Sequence, residues 1–141
     1  MEVKRRIMLG SFVLSSGYFD SYYKKALQVR TLMKEEYDSL FKRFDMIMSP
    51  VSPNTAKKIG DTTIDPEKSY MGDVYNVSVN IAGLPSVAIP CGFDDNNMPV
   101  GLQLVGSAFS DEKLVKYANV YQKNTDFHNR RPSFYAGGEL G

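Results

Sequence analysis

The chain has 141 residues, and its 17 Lys and Arg against 16 Asp and Glu give a formal charge of +1. This length allows one domain, and 43% hydrophobic with 23% charged residues is typical of a globular protein rather than a disordered one. The near-neutral charge argues against nucleic-acid binding by phosphate neutralisation, while a single cysteine and a single histidine exclude an internal disulfide and a multi-histidine zinc site.

The sequence contains no apolar run of about 18 residues, so it predicts no membrane-spanning helix. Lys4, Arg5 and Arg6 precede an apolar stretch from Ile7 to Leu14, as in a secretory signal. Glu2 lies in that charged region, however, and no small-residue cleavage site follows. We therefore expect a cytoplasmic protein with no membrane partner.

Two helices are predicted in the first third of the chain. Apolar residues from Glu2 to Ser15 recur at intervals of three and four, which indicates a helix with Arg6 off its apolar face, ended by Ser16 and Gly17. Asp20 is a good N-cap for a long second helix. The apolar face of that helix is formed by Tyr23, Leu27, Met33, Tyr37, Leu40, Phe41 and Phe44.

A strand, a long connection and a third helix are predicted in the middle of the chain. Residues 45–50 hold a short apolar run that ends in Ser-Pro, which is typical of a buried strand. The polar, proline-containing stretch after it is interpreted as an excursion around a site. Residues 70–82 are predicted to be a helix because Gly83 fits its end and Pro85 blocks continuation; a strand is the alternative.

Two more strands and a fourth helix follow. Residues 86–90 indicate a second buried strand, and the alternation in residues 100–104 indicates a third. The short turn at residues 94–97 favours antiparallel pairing of these two. Ser110 is expected to cap a helix with an acidic first turn. The core stripe of that helix is Leu114, Ala118 and Tyr121.

The predicted fold class is α/β, with about four helices and a small mixed sheet. Two strands read as buried on both faces, which needs more covering elements than this chain supplies. We therefore expect an incomplete core that belongs to a larger fold or needs an obligate partner.

Three features could carry chemistry, but each has a structural interpretation. Ser15-Ser16-Gly17 lacks the glycines that force an exposed nucleophile, so a helix end is favoured. Cys91 follows a proline in an apolar setting, which favours a buried structural thiol. His128 lies in a polar segment and is interpreted as a surface histidine.

Residues 80–93 (NIAGLPSVAIPCGF) and 98–106 (MPVGLQLVG) together resemble the carboxy-terminal part of the amidase signature family. Within it, residues 2–10, 14–18 and 22–26 resemble the family of glutamyl-tRNA(Gln) amidotransferase A subunits. The resemblance extends to about Thr125, and it implies that residues 1–141 form one domain, the carboxy-terminal part of an α/β/α amidase domain without its amino-terminal catalytic part.

The resemblance implies amide hydrolysis by a serine nucleophile, a second serine and a proton-relaying lysine. Ammonia freed from glutamine then reaches a partner subunit, where ATP phosphorylates the glutamyl-tRNA carboxylate and ammonia displaces the phosphate. The implied partners are glutamine and the other amidotransferase subunits, with tRNA contacted only through a partner. No cofactor is implied for this chain, because ATP and magnesium are used by the assembled complex.

The nucleophile segment and the catalytic lysine of the family belong to its amino-terminal part, and nothing in this sequence matches them. We therefore expect no catalytic residue and no metal ligand in this chain. Hydrolysis through a serine needs the nucleophile, its base and an oxyanion hole together, so the chain alone is expected to be inactive. We interpret it as a piece of a larger subunit.

Substrate recognition is the role that remains for this part. Free glutamine is a zwitterion, so a selective pocket needs a forked cation for the α-carboxylate and an anion for the α-ammonium group. The resemblance implies that Arg6 and Asp73 anchor glutamine, because they match family positions with that role. The structural alternatives are an exposed helix arginine and a salt-bridged carboxylate.

Two other functions stay open. The missing catalytic residues allow a free-standing, non-catalytic interaction module with half of an amidase fold. An amidase-family hydrolase with a different amide substrate would share residues 80–106 but not residues 2–26.

Overall fold

The computed structural model describes residues 2–15, 17–57, 59 and 71–131. Within these ranges the chain forms four α-helices and three β-strands, as the α/β prediction requires. No helix in the described ranges is long and apolar enough to span a membrane. The elements are α1 (Glu2–Val13), a π-helical turn (Phe19–Tyr23), α2 (Lys24–Phe41), β1 (Ile47–Pro50), α3 (Val74–Ala82), β2 (Ser86–Phe93), β3 (Pro99–Val105), α4 (Asp111–Lys123) and a 3-10 turn (Phe127–Asn129).

The three strands form one sheet in the order β1-β3-β2, and both pairs are antiparallel. Ile89 lies opposite Leu102 in the β2–β3 pair, and Pro50 lies opposite Leu102 from the other side. A mixed sheet was therefore the wrong expectation for the described strands. The physical reason is that the turn between β2 and β3 is too short for a parallel crossover, while β1 occupies the remaining edge of β3.

The sheet and α4 together form the core of the described structure. The buried side chains of this cluster are Ile89, Leu104, Leu114 and Ala118. Tyr121 packs against them, so the predicted core stripe of α4 is confirmed. Gly106 is required where β3 turns into α4, because a Cβ at this position would lie 3.1 Å from Leu114 Cγ.

Helices α2 and α3 pack against each other beside the sheet. Arg30 Nε donates to the carbonyl of Ile81 at 2.9 Å, and Tyr37 Oη and Ser78 Oγ share a hydrogen bond of 2.9 Å. Gly83 ends α3 with φ 71°, in the left-handed region that favours glycine. The helix prediction for this segment is confirmed, and the strand alternative is wrong.

The structure contradicts one predicted helix cap, and for the other it confirms the N-cap position but shows no side-chain capping hydrogen bond. Asp20 lies inside the π-helical turn and pairs with Lys24 at 2.5 Å, so it does not cap α2, which begins at Lys24. Ser110 precedes α4, but its hydroxyl donates to the Ser107 carbonyl and makes no capping hydrogen bond. The Asp20 carboxylate therefore pairs with a lysine instead of helix N–H groups, whereas Ser110 keeps its N-cap position without a side-chain bond to the helix.

The strands predicted to be buried are the outer strands of the sheet. β1 spans residues 47–50, within the predicted stretch 45–50, and its side chains alternate between half-buried and exposed. In β2 only Ile89 is buried. The buried strand is β3, where Gln103, Leu104 and Val105 are all buried, because β3 has a strand on each side.

Candidate functional site

Arg6 lies in the middle of α1 and is exposed. Helix α1 forms as the apolar periodicity predicts, and at its end the Ser15 hydroxyl donates to the Phe12 carbonyl at 2.7 Å. Of the described side chains in α1, only Val13 is half-buried and the others are exposed. The arginine is therefore presented on a helix whose apolar residues also face outward.

Asp73 immediately precedes α3, with φ −99° and ψ 7°. Its carbonyl accepts hydrogen bonds from the N–H groups of Asn76 and Val77, which starts the helix. Its side chain makes no capping hydrogen bond and is exposed. An exposed carboxylate avoids the cost of burial inside an apolar segment, because Asp73 lies ahead of the apolar turns of α3.

The two predicted binding residues lie in α1 and immediately before α3, and the fold connects these two helices. Helix α1 packs against the π-helical turn, this turn continues into α2, and α2 packs against α3. Both Arg6 and Asp73 are described residues, and no ion pair joins their side chains directly. Their role in binding glutamine therefore stays a prediction.

Sequence reasoning missed the side chains that fix α3 and with it Asp73. Asn76 Nδ2 donates to the carbonyl of Val51 at 2.9 Å and so ties the first turn of α3 to the chain after β1. Arg30 and Tyr37 hold the same helix to α2. Local patterns place Tyr37 on the apolar face of α2 but identify none of these hydrogen-bond partners, because each partner lies at least 25 positions away in the sequence.

The hairpin between β2 and β3 is organised by Asp94. Its carboxylate accepts hydrogen bonds from the N–H groups of Asn96 and Met98, at 2.8 and 2.9 Å, and from Thr55 Oγ1 at 2.8 Å. The Met98 N–H, followed by the Thr55 hydroxyl, holds the pKa of Asp94 below its ordinary value of 3.8. Asn97 completes the turn with φ 61°, a conformation that asparagine tolerates.

The serine, cysteine and histidine considered in the sequence analysis form no reactive arrangement with one another in the described part of the chain. Ser16 lies outside the described residues, whereas Ser15 bonds to backbone as a helix end should. Cys91 is half-buried and its thiol donates to the Val100 carbonyl at 3.5 Å. His128 is half-buried rather than a fully exposed surface residue, and its Nδ1 is buried without a hydrogen-bond partner among the described residues.

No metal site is formed by the part of the chain that the structure describes. Within those residues no group of three or more His, Cys, Asp or Glu side chains could hold a metal ion.

The sheet, the helix α4 that covers it and the packed pair α2 and α3 define an α/β protein. The model of one protein family, described as Amidase, matches residues 1–115. The chain belongs to this amidase family, and the resemblance seen in the sequence is confirmed.

Several relatives are similar over nearly the whole chain. The A subunit of glutamyl-tRNA(Gln) amidotransferase from Brevibacillus brevis is 48% identical over 136 residues, and that from Microcystis aeruginosa is 51% identical over 133 residues. These matches cover 96% and 94% of this chain but only 28% of each relative. The chain therefore spans less than a third of the length of these curated relatives.

A solved structure supports the same fold. The crystal structure of the glutamyl-tRNA(Gln) amidotransferase A subunit from Thermotoga maritima matches with a TM-score of 0.72 and 41% identity. The match covers 88% of this chain and 27% of that one. The α/β fold described above is thus one that amidase-family enzymes contain.

Proposed function

We propose that this chain forms the carboxy-terminal, glutamine-recognising portion of the glutaminase subunit of glutamyl-tRNA(Gln) amidotransferase. The observation that carries the proposal is identity of 48% and 51% to two A subunits over 96% and 94% of the chain. In the complete subunit, glutamine hydrolysis supplies the ammonia that converts Glu-tRNA(Gln) to Gln-tRNA(Gln).

Arg6 and Asp73 bind the two charged ends of glutamine in this proposal. The Arg6 guanidinium donates parallel N–H groups to the α-carboxylate, and the Asp73 carboxylate accepts from the α-ammonium group. The side-chain amide then points toward a nucleophile supplied by the remainder of the subunit. The exposure of both side chains and the connected packing of α1, the π-helical turn, α2 and α3 support this arrangement.

The apolar residues of α1 pack against the remainder of the amidase domain. Ile7 is 65% exposed and Leu9 is 53% exposed, and no described residue of this helix is among those that pack on the core cluster around Leu114. Exposed apolar surface of this kind marks an interface. The relatives are more than three times as long as the part that this chain matches, so they contain enough chain to cover it.

The assembled enzyme uses ATP and magnesium on its partner subunit, through which it also meets tRNA. This chain contributes no cofactor ligand, and it works in the cytoplasm. The single-domain assignment of residues 1–141 to the carboxy-terminal part of an amidase domain belongs to the same proposal.

We expect no glutaminase activity from the 141-residue chain by itself. Within the described ranges, the serine hydroxyls that make hydrogen bonds bond to backbone groups or to tyrosine, and no serine is hydrogen-bonded to a lysine or to the histidine. Without an activated nucleophile, acyl transfer does not proceed at a useful rate. Ammonia release from glutamine by the pure chain, above a boiled control, would contradict this expectation.

Glutamine recognition is tested in a full-length subunit that joins this chain to the amino-terminal part of the Brevibacillus brevis relative. Arg6→Ala should raise the glutamine KM by about tenfold or more, because a charge-assisted hydrogen bond is lost. Asp73→Asn should have a smaller effect in the same direction. Arg5→Ala, an exposed arginine on the same helix, is the matched control and should leave KM unchanged.

Three outcomes of this assay are decisive. An unchanged KM for Arg6→Ala removes the recognition role of this residue. Turnover of other amides with no turnover of glutamine favours an amidase with a different substrate. No turnover of any amide favours the non-catalytic interaction module.

A further inference from the structure

Asp73 starts α3 without using its carboxylate. An aspartate that directly precedes a helix commonly accepts hydrogen bonds from the first helical N–H groups through its side chain. Here the carbonyl of Asp73 accepts from the N–H groups of Asn76 and Val77, at 2.9 and 3.0 Å, and the carboxylate makes no capping hydrogen bond. The carboxylate therefore does not fix where the first turn of α3 lies, and another group has to do so.

The side chain of Asn76 is that group. Its Nδ2 donates to the Val51 carbonyl at 2.9 Å, while its backbone N–H donates to the Asp73 carbonyl. Asn76 is half-buried, so this hydrogen bond is stronger than one made in open water. One residue thus links the backbone of Asp73 to the segment that follows β1.

Val51 is itself fixed to the sheet. Its N–H donates to the Gly101 carbonyl at 3.0 Å, which extends the pairing of β1 with β3 by one residue. Its side chain packs so closely on Gly101 that a Cβ added there would lie 2.9 Å from Val51 Cγ2. Because β3 is the central strand, Val51 is attached to the part of the sheet that is held from both sides. The Val51 carbonyl is therefore a rigid anchor for Asn76.

The other attachments of α3 lie further along the helix. Arg30 donates to the carbonyl of Ile81 in the last turn, and Tyr37 shares a hydrogen bond with Ser78 in the second turn. Both attach α3 to α2 and not to the sheet. Among the side-chain hydrogen bonds between described residues, the one from Asn76 alone joins the first turn of α3 to the end of β1.

We propose that Asn76 is a positioning residue for Asp73, which it holds where the carboxylate accepts from the α-ammonium group of glutamine. This inference rests on the proposed function, because it assumes that Asp73 binds that group. Binding groups have to be held to within about 0.5 Å of their productive position. Loss of the anchor should therefore weaken the binding of glutamine without altering the chemical step.

The test compares two ligands in the full-length subunit that joins this chain to the amino-terminal part of the Brevibacillus brevis relative. Glutaramate is glutamine without its α-amino group, so it offers no cation to Asp73. Asn76→Leu keeps the approximate size of the side chain and removes the donor. It should raise the glutamine KM about fivefold, and no more than Asp73→Asn does, while kcat stays within about twofold. The inhibition constant of glutaramate, measured by formation of glutamate from glutamine, should also stay within about twofold.

A second variant guards against a folding defect. Asn76→Ala adds no apolar surface and has the highest helix propensity, so it should fold and give the same pattern. An unchanged glutamine KM in both variants overturns the proposal. A lower kcat with an unchanged KM shows a merely structural role and also overturns it. Equal losses of affinity for glutamine and glutaramate show a general disturbance of the pocket, with the same consequence.

Asn80→Leu is the matched control. Asn80 is an exposed asparagine of the same helix, and its Nδ2 donates to the Asn76 carbonyl within the helix at 3.0 Å. The same substitution at this position leaves the bond to Val51 intact, so the glutamine KM should stay within about twofold of the original. Equal increases for Asn80→Leu and Asn76→Leu overturn the proposal.

Combination with Asp73→Asn separates failure of this inference from failure of the proposed function. In the Asp73→Asn background, Asn76→Leu should raise the glutamine KM no further, because Asn76 acts through Asp73. Fully additive effects overturn the positioning role. A KM that is raised by Asp73→Asn but not by Asn76→Leu overturns this inference alone. A KM that Asp73→Asn leaves unchanged contradicts the proposed function and this inference with it.

Discussion

The sheet region and the helical region of this chain differ in how they bury apolar side chains. In the sheet region, β2, β3 and α4 enclose Ile89, Leu104 and Leu114. In the helical region, which is defined here as α1 and α2, α2 has no buried residue and Ile7 of α1 is 65% exposed. Both regions carry the apolar periodicity of their secondary structure. The difference teaches that periodicity predicts which face is apolar, whereas burial requires a second surface that covers it.

Truncation of an apolar side chain should give the largest difference between the two regions in the free energy of unfolding. Leu114 is 3% exposed, so Leu114→Ala should lower the free energy of unfolding by about 2–5 kcal/mol through lost burial and a cavity. Ile7→Ala on the exposed face of α1 should change it by less than about 0.5 kcal/mol. Urea unfolding followed by circular dichroism measures both, and similar losses would show that α1 is buried in solution.

Addition of one methyl group should lower the free energy of unfolding in the sheet region and raise it in the helical region. Gly106→Ala introduces a Cβ within 3.1 Å of Leu114 Cγ and should destabilise the chain by about 1–3 kcal/mol. Gly10→Ala meets nothing within 4 Å in α1 and should stabilise the helix by about 0.5–1 kcal/mol. Thermal unfolding of the two variants checks the signs; a destabilising Gly10→Ala would mean that another surface covers α1.

Removal of a hydrogen bond between α2 and α3 should change the free energy of unfolding by a smaller amount. Tyr37→Phe removes the hydrogen bond to Ser78 and should cost about 1 kcal/mol in unfolding free energy. Tyr22→Phe is the matched control, because no described residue accepts or donates a hydrogen bond at the Tyr22 hydroxyl. A double-mutant cycle with Ser78→Ala isolates the pair, and zero coupling energy would exclude the bond in solution.

The smallest predicted effect is a pH dependence at the hairpin tip. Hydrogen bonds lower the pKa of Asp94 in the folded state below 3.8, so this residue contributes stability above its unfolded pKa. That stability is lost as the pH falls through the folded pKa. Urea midpoints measured between about pH 2 and pH 5 should therefore fall less steeply for Asp94→Asn than for the original chain.

A second variant checks the cause of this pH dependence. Thr55→Val removes one donor to the Asp94 carboxylate and should raise its pKa partway toward the ordinary value. Carbon-detected NMR titration of Asp94 reports the shift directly. An unchanged titration would exclude the Thr55 hydroxyl as a contributor.

Much of the local structure could be predicted because its causes lie within a few residues. Apolar spacing placed α1, α3 and α4, and Gly83 marked the end of α3 through its positive φ. Asp20 shows the limit of this approach, because its carboxylate pairs with Lys24 and the helix α2 begins only at that lysine. Of the candidate binding residues, Arg6 and Asp73 were identified only through resemblance to a family.

The sequence by itself determined the α/β class, the antiparallel hairpin and the family, because these depend on short motifs and on the spacing of apolar residues. Only the tertiary structure decided that β3 is the buried strand, since this depends on which strands lie on either side of it. It also brought Arg130 onto Phe93 beside the unpaired nitrogen of His128. Contacts between residues so far apart in the sequence arise from packing, which no local pattern specifies.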